Sequence, residues 1–102
     1  ASAHTINGLA HGTLGGLVGE LYLANNFLKP VVIAPSMNSQ MLAHPATQRA
    51  LKTLSQDGAI VLETEAGPLA CGENGYGRLL PTSQILSRIQ NILEVKFKEH
   101  SL

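Results

Sequence analysis

The alternating order of helices and strands is the feature of this sequence that most restricts its fold. Val31, Val32 and Ile33 form a β-branched apolar run inside a predicted strand, Lys29 to Pro35. Such a continuous run is typical of a parallel strand that is covered on both faces. A second predicted strand, Ala59 to Glu63, follows after one intervening helix. Strands that alternate with helices predict an α/β fold with a parallel sheet packed between helices.

The spacing of apolar residues, glycine and proline predicts the remaining elements. We expect two short helices between Ser2 and Asn26, with a break from Gly12 to Gly16, because an interior glycine costs a helix about 1 kcal/mol relative to alanine. A third helix is predicted to begin at Pro45 and to stop at the Asp57-Gly58 signal. The segment Gly67 to Arg78 is predicted as a glycine-rich loop. An amphipathic helix is predicted from Thr82 toward Lys98.

Composition excludes several classes of protein. In 102 residues, 44% are hydrophobic and 14% charged, which excludes intrinsic disorder. Seven Lys and Arg balance seven Asp and Glu, so neither nucleic acid nor an anionic membrane is an expected partner. The apolar runs are too short to span a bilayer, and no secretory signal is recognisable. The single cysteine, Cys71, cannot form an internal disulfide, so we expect a cytoplasmic protein.

The two predicted strands are too few for a stable open sheet. A sheet of two strands leaves backbone edges unpaired, and natural sheets usually have several strands. The sequence also begins Ala1-Ser2-Ala3-His4, without an initiator methionine. We therefore expect residues 1–102 to be the C-terminal part of a single larger domain.

Asn38 stands where ligands are commonly bound in this type of fold. The segment Pro35 to Met41 directly follows the first predicted strand, and open α/β sheets bind ligands beyond the carboxyl ends of their strands. The amide of Asn38 offers two donors and one acceptor, which suits a substrate carboxylate or amide. An Asx-turn, in which Asn38 bonds only to nearby backbone, explains the residue equally well.

Cys71 lies in the glycine-rich segment between Leu69 and Arg78. A glycine-rich loop can close over a ligand, and a thiol in such a loop is a candidate acid, base or nucleophile. The alternative is a small buried apolar side chain, the usual state of a free cysteine. The flanking glycines favour the functional interpretation.

The histidines do not indicate a metal site. His4 and His11 are two helical turns apart, and the sequence contains no HxH, HxxxH or CxxC pattern. Ser2 and Thr5, before the first helix, could offer hydroxyl and backbone N–H groups to an anion. From the pattern alone we interpret Thr5 as an ordinary helix N-cap.

Three segments together resemble the flavin-dependent cysteine decarboxylase family. Pro35 to Met41 resembles its PxMNxxM motif, and Ala70 to Arg78 resembles the ACGxxGxGR motif of phosphopantothenoylcysteine decarboxylases. Ala1 to Thr5 resembles the end of the PASANT motif. The three occur in the family's order, and the resemblance extends over nearly the whole chain.

The resemblance implies a flavodoxin-like (Rossmann-like) three-layer sandwich, of which this chain is the C-terminal portion. It implies FMN bound between the subunits of a homo-oligomer, as trimers or as dodecamers of trimers. The implied reaction decarboxylates phosphopantothenoylcysteine in coenzyme A synthesis. The substrate thiol is oxidised to a thioaldehyde, CO2 leaves, and the resulting enethiol is protonated and reduced. The family's catalytic histidine and phosphate-binding segment would precede this sequence, in the same or a companion chain.

The resemblance also implies roles for individual residues. Asn38 would hold the substrate carboxylate, and Cys71 would be the acid that completes the reduction. Residues implied to line the FMN site are Ser2, Ala3, His4, Thr5 and Met37, and those implied to contact substrate are Asn38, Met41 and Ala70. The loop Gly67 to Arg78 would be a substrate flap. No metal is implied.

The sequence departs from the family at four positions, where His4, Gly15, Gly16 and Leu42 replace the usual residues. Two alternative functions therefore stay open. One is a peptidyl-cysteine decarboxylase of the lantibiotic type, which can lack the cysteine. The other is an FMN-binding regulatory subunit without catalytic activity.

Overall fold

The first two strands alternate with helices as the sequence predicts, and two further strands follow before the last helix. The structure is a computed structural model that describes residues 1–68 and 74–100. The helices are α1 (Ala3–His11), α2 (Gly16–Asn25), α3 (Ser39–Ala43), α4 (Pro45–Asp57) and α5 (Thr82–His100). The strands are β1 (Val32–Ile33), β2 (Ile60–Val61), β3 (Glu65–Pro68) and β4 (Asn74–Arg78).

Strands β1 and β2 form the predicted parallel pair. Val32 is opposite Ile60, and Ile33 is opposite Val61. The backbone N–H of Leu62 extends the pairing by donating to the carbonyl of Ile33 over 2.8 Å. Both strands are shorter than predicted, but their direction and their connection through α4 agree with the sequence.

The core lies between these strands and the helices α1 and α4. Its buried residues are Ile6, Leu9, Ile33, Ala50, Leu54 and Ala59. Ile6 and Leu54 are completely buried, at 0% exposure. Burying a side chain of this size stabilises a fold by about 1.5–3 kcal/mol, so the contact between α1 and α4 is a main source of stability.

Helix α4 begins and ends as predicted. Pro45 is the first helical residue, and the left-handed conformation of Gly58, with φ of 119°, ends the helix. The N–H of Gly58 donates to the carbonyls of Leu54 and Ser55, which would otherwise lack partners. The ring nitrogen Nδ1 of His44 accepts from the N–H of Ala46 and caps the start.

The prediction that Thr5 is an N-cap is wrong. Ser2 occupies the cap position of α1, with extended backbone angles, and its hydroxyl oxygen accepts from the N–H of Thr5 over 3.2 Å. Thr5 is already inside the first helical turn. Both residues carry hydroxyls, and only the backbone angles distinguish which one precedes the helix.

The segment predicted as a loop from Gly67 to Arg78 includes the end of β3 and all of β4, and the two strands pair antiparallel as a ribbon. Its glycines weaken the sequence signal for strands. The backbone pairing is nevertheless made, with an irregularity between Glu65 and Gly67. The short helix α3 was also absent from the sequence prediction.

The apolar side chains of helix α2 are not confined to one face, and much of its apolar surface is exposed. Its exposed apolar side chains are Leu17, Val18, Leu21 and Leu23. Within residues 1–68 and 74–100, no helix combines the length and the apolar character needed to cross a bilayer.

Candidate functional site

The loop after β1 meets the start of α1. Pro35 is fully buried, and the backbone N–H of Ser36 donates to the carbonyl of Ala1 over 2.8 Å. The first turn of α1 therefore adjoins the carboxyl end of β1, where open α/β folds bind ligands. Sequence segments that are far apart along the chain come together here.

Asn38 is an exposed polar residue of this loop, and it caps helix α3. Its side-chain oxygen Oδ1 accepts from the N–H of Met41 over 2.8 Å. No described residue accepts a hydrogen bond from its Nδ2. The structural and functional interpretations of Asn38 are therefore compatible, because the cap uses the oxygen and leaves both amide donors for an anionic ligand.

The two predicted methionines occupy different environments. Met37 is half-buried and packs against the apolar core. Met41 lies on α3 and is 51% exposed. The exposed side chain of Met41, near the free amide of Asn38, suits a ligand that carries both an anionic group and an apolar part.

The β3–β4 ribbon is attached to the same loop through Gly77. The carbonyl of Gly77 accepts from the N–H of Met37 over 2.9 Å, and the N–H of Gly77 donates to the Thr64 hydroxyl over 3.2 Å. A Cβ atom at Gly77 would lie 2.2 Å from the Met37 carbonyl oxygen. Only glycine permits this approach, so the base of the ribbon lies directly on the Met37–Asn38 segment.

The start of α1 contributes hydroxyl groups. The Ser2 hydroxyl also donates to the Thr5 hydroxyl, at 3.2 Å, and the His4 side chain is exposed. Unpaired N–H groups at a helix N-terminus, together with hydroxyls, can bind a phosphate or carboxylate. The donors at Ser2 and Thr5 therefore fit an anionic cofactor group, while Met37 offers apolar surface to a ring.

A cavity of about 680 Å³ extends away from this corner. Thr5 lies on its wall, and most of the other wall residues are apolar, among them Leu9 of α1, Leu21 of α2 and Ile33 of β1. Its size is in the range of small-molecule sites. Across the described part of the chain, no three His, Cys, Asp or Glu side chains come close enough together to hold a metal ion.

The shifted pKa values of Glu63 and Tyr22 belong to groups outside this corner. Arg88 donates a hydrogen bond to the carboxylate of Glu63 and lowers its pKa below the ordinary value. Burial raises the pKa of Tyr22, and the nearby charge of Asp57 raises it further. The side-chain oxygen of Tyr22 is buried and has no hydrogen-bond partner in the described part of the chain.

Two of the predicted site residues, Ala70 and Cys71, lie outside the described residues. The ribbon pairs Pro68 with Asn74 on either side of them. The predicted residues that the structure describes divide between the start of α1, with Ser2, Ala3, His4 and Thr5, and the loop after β1, with Met37, Asn38 and Met41. Sequence analysis missed Thr64, whose contact with Gly77 has no motif to reveal it.

Comparison with known proteins identifies the family. The Flavoprotein family profile matches residues 1–94. The chain is 38% identical, over 94% of its length, to a cysteine/cysteine sulfinic acid decarboxylase from an unknown prokaryotic organism, of which it covers 26%. It is also 38% identical, over 94% of its length, to the coenzyme A biosynthesis bifunctional protein CoaBC of Vibrio cholerae, of which it covers 24%.

Solved structures that resemble this chain agree with the family match. A cysteine-to-serine variant of PPC decarboxylase complexed with pantothenoylaminoethenethiol matches with a TM-score of 0.88 at 31% identity, over 92% of this chain and 52% of that one. The FMN binding protein AtHal3 matches with a TM-score of 0.82 at 32% identity, over 93% of this chain and 51% of that one. The chain thus spans about half the length of these structures, and the predicted flavodoxin-like α/β fold is confirmed. On these matches, the chain belongs to the Flavoprotein family.

Proposed function

We propose that residues 1–102 form the C-terminal part of an FMN-dependent phosphopantothenoylcysteine decarboxylase, a carboxy-lyase of coenzyme A biosynthesis. The observation that carries the proposal is the free amide of Asn38 at the carboxyl end of β1, in a loop that the Met37 N–H joins to Gly77 of the ribbon. The similarity to PPC decarboxylase and to CoaBC supports the same activity.

Each group has a defined task in this proposal. The Nδ2 donors of Asn38 bind the substrate carboxylate and orient the bond that breaks when CO2 leaves. Cys71 then gives a proton to the carbon that has lost the carboxylate, because a thiol near its pKa can serve as a general acid. FMN, when bound, supplies a two-electron acceptor for the substrate thiol and returns the electrons afterwards. Ser2, Thr5 and the first N–H groups of α1 would hold its anionic part, and Met37 would offer apolar surface to its ring.

The chain needs further protein for this activity. The parallel sheet has two strands in the described residues, and the solved relatives are about twice as long. We propose that a companion segment or chain supplies the remaining strands, the phosphate-binding segment and the catalytic histidine.

The exposed apolar side chains of α2 support a homo-oligomer, with trimers or dodecamers of trimers as the expected forms. A flavin-loaded monomer in sedimentation would contradict this part of the proposal. We place the protein in the cytoplasm, where the Cys71 thiol stays reduced.

The decisive experiment compares the complete protein with its Cys71→Ser variant. We expect the wild type to release CO2 from phosphopantothenoylcysteine and to form the saturated thiol product. The variant should still release CO2 in a single turnover, but its product should lack two hydrogens, because the final protonation and reduction fail. Mass spectrometry of the product distinguishes the two.

The same assay tests the alternatives. A Cys71→Ser variant that is indistinguishable from the wild type would favour a peptidyl-cysteine decarboxylase. Turnover of free cysteine or cysteine sulfinic acid alone would favour the activity named for the prokaryotic relative. A wild type that binds FMN but releases no CO2 from any of these compounds would favour a regulatory subunit.

A further inference from the structure

Gly77 joins the ribbon to the loop of Asn38 by a backbone hydrogen bond. The register of the ribbon places Glu65 opposite Arg78 and Gly67 opposite Gly75, so β4 contains one extra residue between these pairs. Such an extra residue is a β-bulge, which bends a strand and turns its backbone groups in a new direction. Gly77 lies in this bulge with φ of 111°.

Both backbone groups of Gly77 bond outside the ribbon. Its carbonyl accepts from Met37, and its N–H donates to the hydroxyl of Thr64, which lies just before β3. Gly77 is buried, so its N–H depends on a protein acceptor rather than on bulk water. Thr64 supplies that acceptor and thereby holds Gly77 against Met37.

The conformation of Asn38 depends on the same contact. Several hydrogen bonds hold its loop: Ser36 N–H donates to Ala1, and Met37 N–H donates to Gly77. The side-chain oxygen and the carbonyl of Asn38 accept from the N–H groups of Met41 and Leu42. Of these bonds, the one that Met37 donates joins the loop to the ribbon. Losing it would free the Ser36–Met37 peptide, one residue before Asn38, and would loosen the backbone that carries the Asn38 side chain.

We propose that Thr64 is a positioning residue for Asn38, acting through the backbone of Gly77. This inference rests on the proposed function, in which Asn38 binds the substrate carboxylate. Thr64 itself does not touch the substrate. Its hydroxyl holds Gly77 in the position where its carbonyl accepts from the Met37 N–H. The resulting loop conformation orients the free amide of Asn38 toward the carboxylate.

The test uses Thr64→Val, which keeps the shape and removes the acceptor, and Thr64→Ser, which keeps the hydroxyl, both in the complete protein. For Thr64→Val we expect the KM for phosphopantothenoylcysteine to rise about tenfold, as for a lost hydrogen bond to a buried group. The value of kcat should change less, and the FMN content should stay the same. Thr64→Ser should behave as the wild type.

Amide hydrogen exchange provides a readout that does not require activity. In Thr64→Val the N–H groups of both Gly77 and Met37 should exchange faster, while the N–H of Leu54 in the core of α4 should be unchanged. The effect at Met37 distinguishes a transmitted change from the simple loss of the bond at Gly77.

Each other outcome overturns one specific claim. Unchanged exchange at Met37, or an unchanged KM in an active variant, overturns the positioning role. If the wild type has no decarboxylase activity, the proposed function fails, and exchange at Met37 still decides the coupling between Thr64 and the loop. Thr64→Ala serves as a second variant, and global unfolding of both Thr64→Val and Thr64→Ala would make Thr64 a residue of overall stability and overturn the proposal.

Discussion

The side-chain oxygen of Asn38 accepts a hydrogen bond from the backbone N–H of Met41 over 2.8 Å, which leaves the two amide donors of Asn38 without a described partner. One side chain thus begins helix α3 and also presents N–H groups at the carboxyl end of β1. The two uses involve different atoms, so substitutions can separate them.

Asn38→Asp should keep the cap and lose the activity. Aspartate caps helices as well as asparagine does, so the free energy of unfolding should stay within about 0.5 kcal/mol of the wild type. A carboxylate at this position would repel the substrate carboxylate, and kcat/KM should fall at least about 100-fold. Asn38→Ala is the matched control, because it should lose both activity and about 1 kcal/mol of stability. Near-normal kcat/KM in Asn38→Asp would contradict the role of Asn38.

Leu54→Ala should destabilise the fold strongly. The side chain of Leu54, on α4, is completely buried in the core, and truncating such a side chain costs about 2–5 kcal/mol. The exposed Lys52 on the same helix provides the control, since Lys52→Ala should change stability by about 0.5 kcal/mol or less. Urea denaturation of the complete protein measures both. Equal effects of the two substitutions would show that the described core is wrong.

Gly19→Ala should destabilise the protein although alanine is the better helix former. The intrinsic gain in a helix is about 1 kcal/mol. A Cβ at Gly19 would lie 2.0 Å from the backbone oxygen of Leu14, and relieving such a contact costs about 1–3 kcal/mol or more. Nothing lies within 4 Å of a Cβ at Gly15, so Gly15→Ala should have a much smaller effect in the same denaturation experiment. A more stable Gly19→Ala variant would refute the close approach of α2 to Leu14.

The Glu63–Arg88 ion pair should contribute a small, pH-dependent stabilisation. Arg88 lowers the pKa of Glu63 in the folded protein, so the contribution is present above the ordinary carboxyl pKa of about 4.3 and is lost as the pH falls below it. Because both side chains are about half exposed, salt should weaken the effect.

The measurement is the difference in unfolding free energy between the wild type and Glu63→Gln as a function of pH. We expect the difference to be largest near neutral pH and to disappear in acid. Arg88→Gln should show the same pH profile, and adding Glu63→Gln to it should have little further effect. A difference that grows toward acid pH would exclude the ion pair as its source.

Local sequence signals predicted the elements that they specify by themselves. The β-branched run from Val31 to Ile33 and the Pro45 and Gly58 signals each correspond to an observed element. The ribbon was missed because its glycines oppose strand formation when considered alone. Its structure depends on pairing between β3 and β4 and on the contact of Gly77 with Met37, neither of which is encoded by neighbouring residues.

The candidate site, like the fold, was predictable only where a local sequence signal specifies it. Asn38 could be placed from its position after a strand, but its double use as cap and donor required the geometry of α3. Ser2 and Thr5 carry similar hydroxyls, so composition could not decide which of them caps α1. The roles proposed for Ala70 and Cys71 remain predictions from the family resemblance.

The parallel pairing of β1 with β2 has a practical consequence for protein production. Among the described strands, β1 has no partner on its other side, where its backbone groups can pair with any extended chain. Residues 1–102 expressed by themselves should therefore collect in inclusion bodies. Under the proposed function, co-expression with the companion segment or chain should keep them in the supernatant.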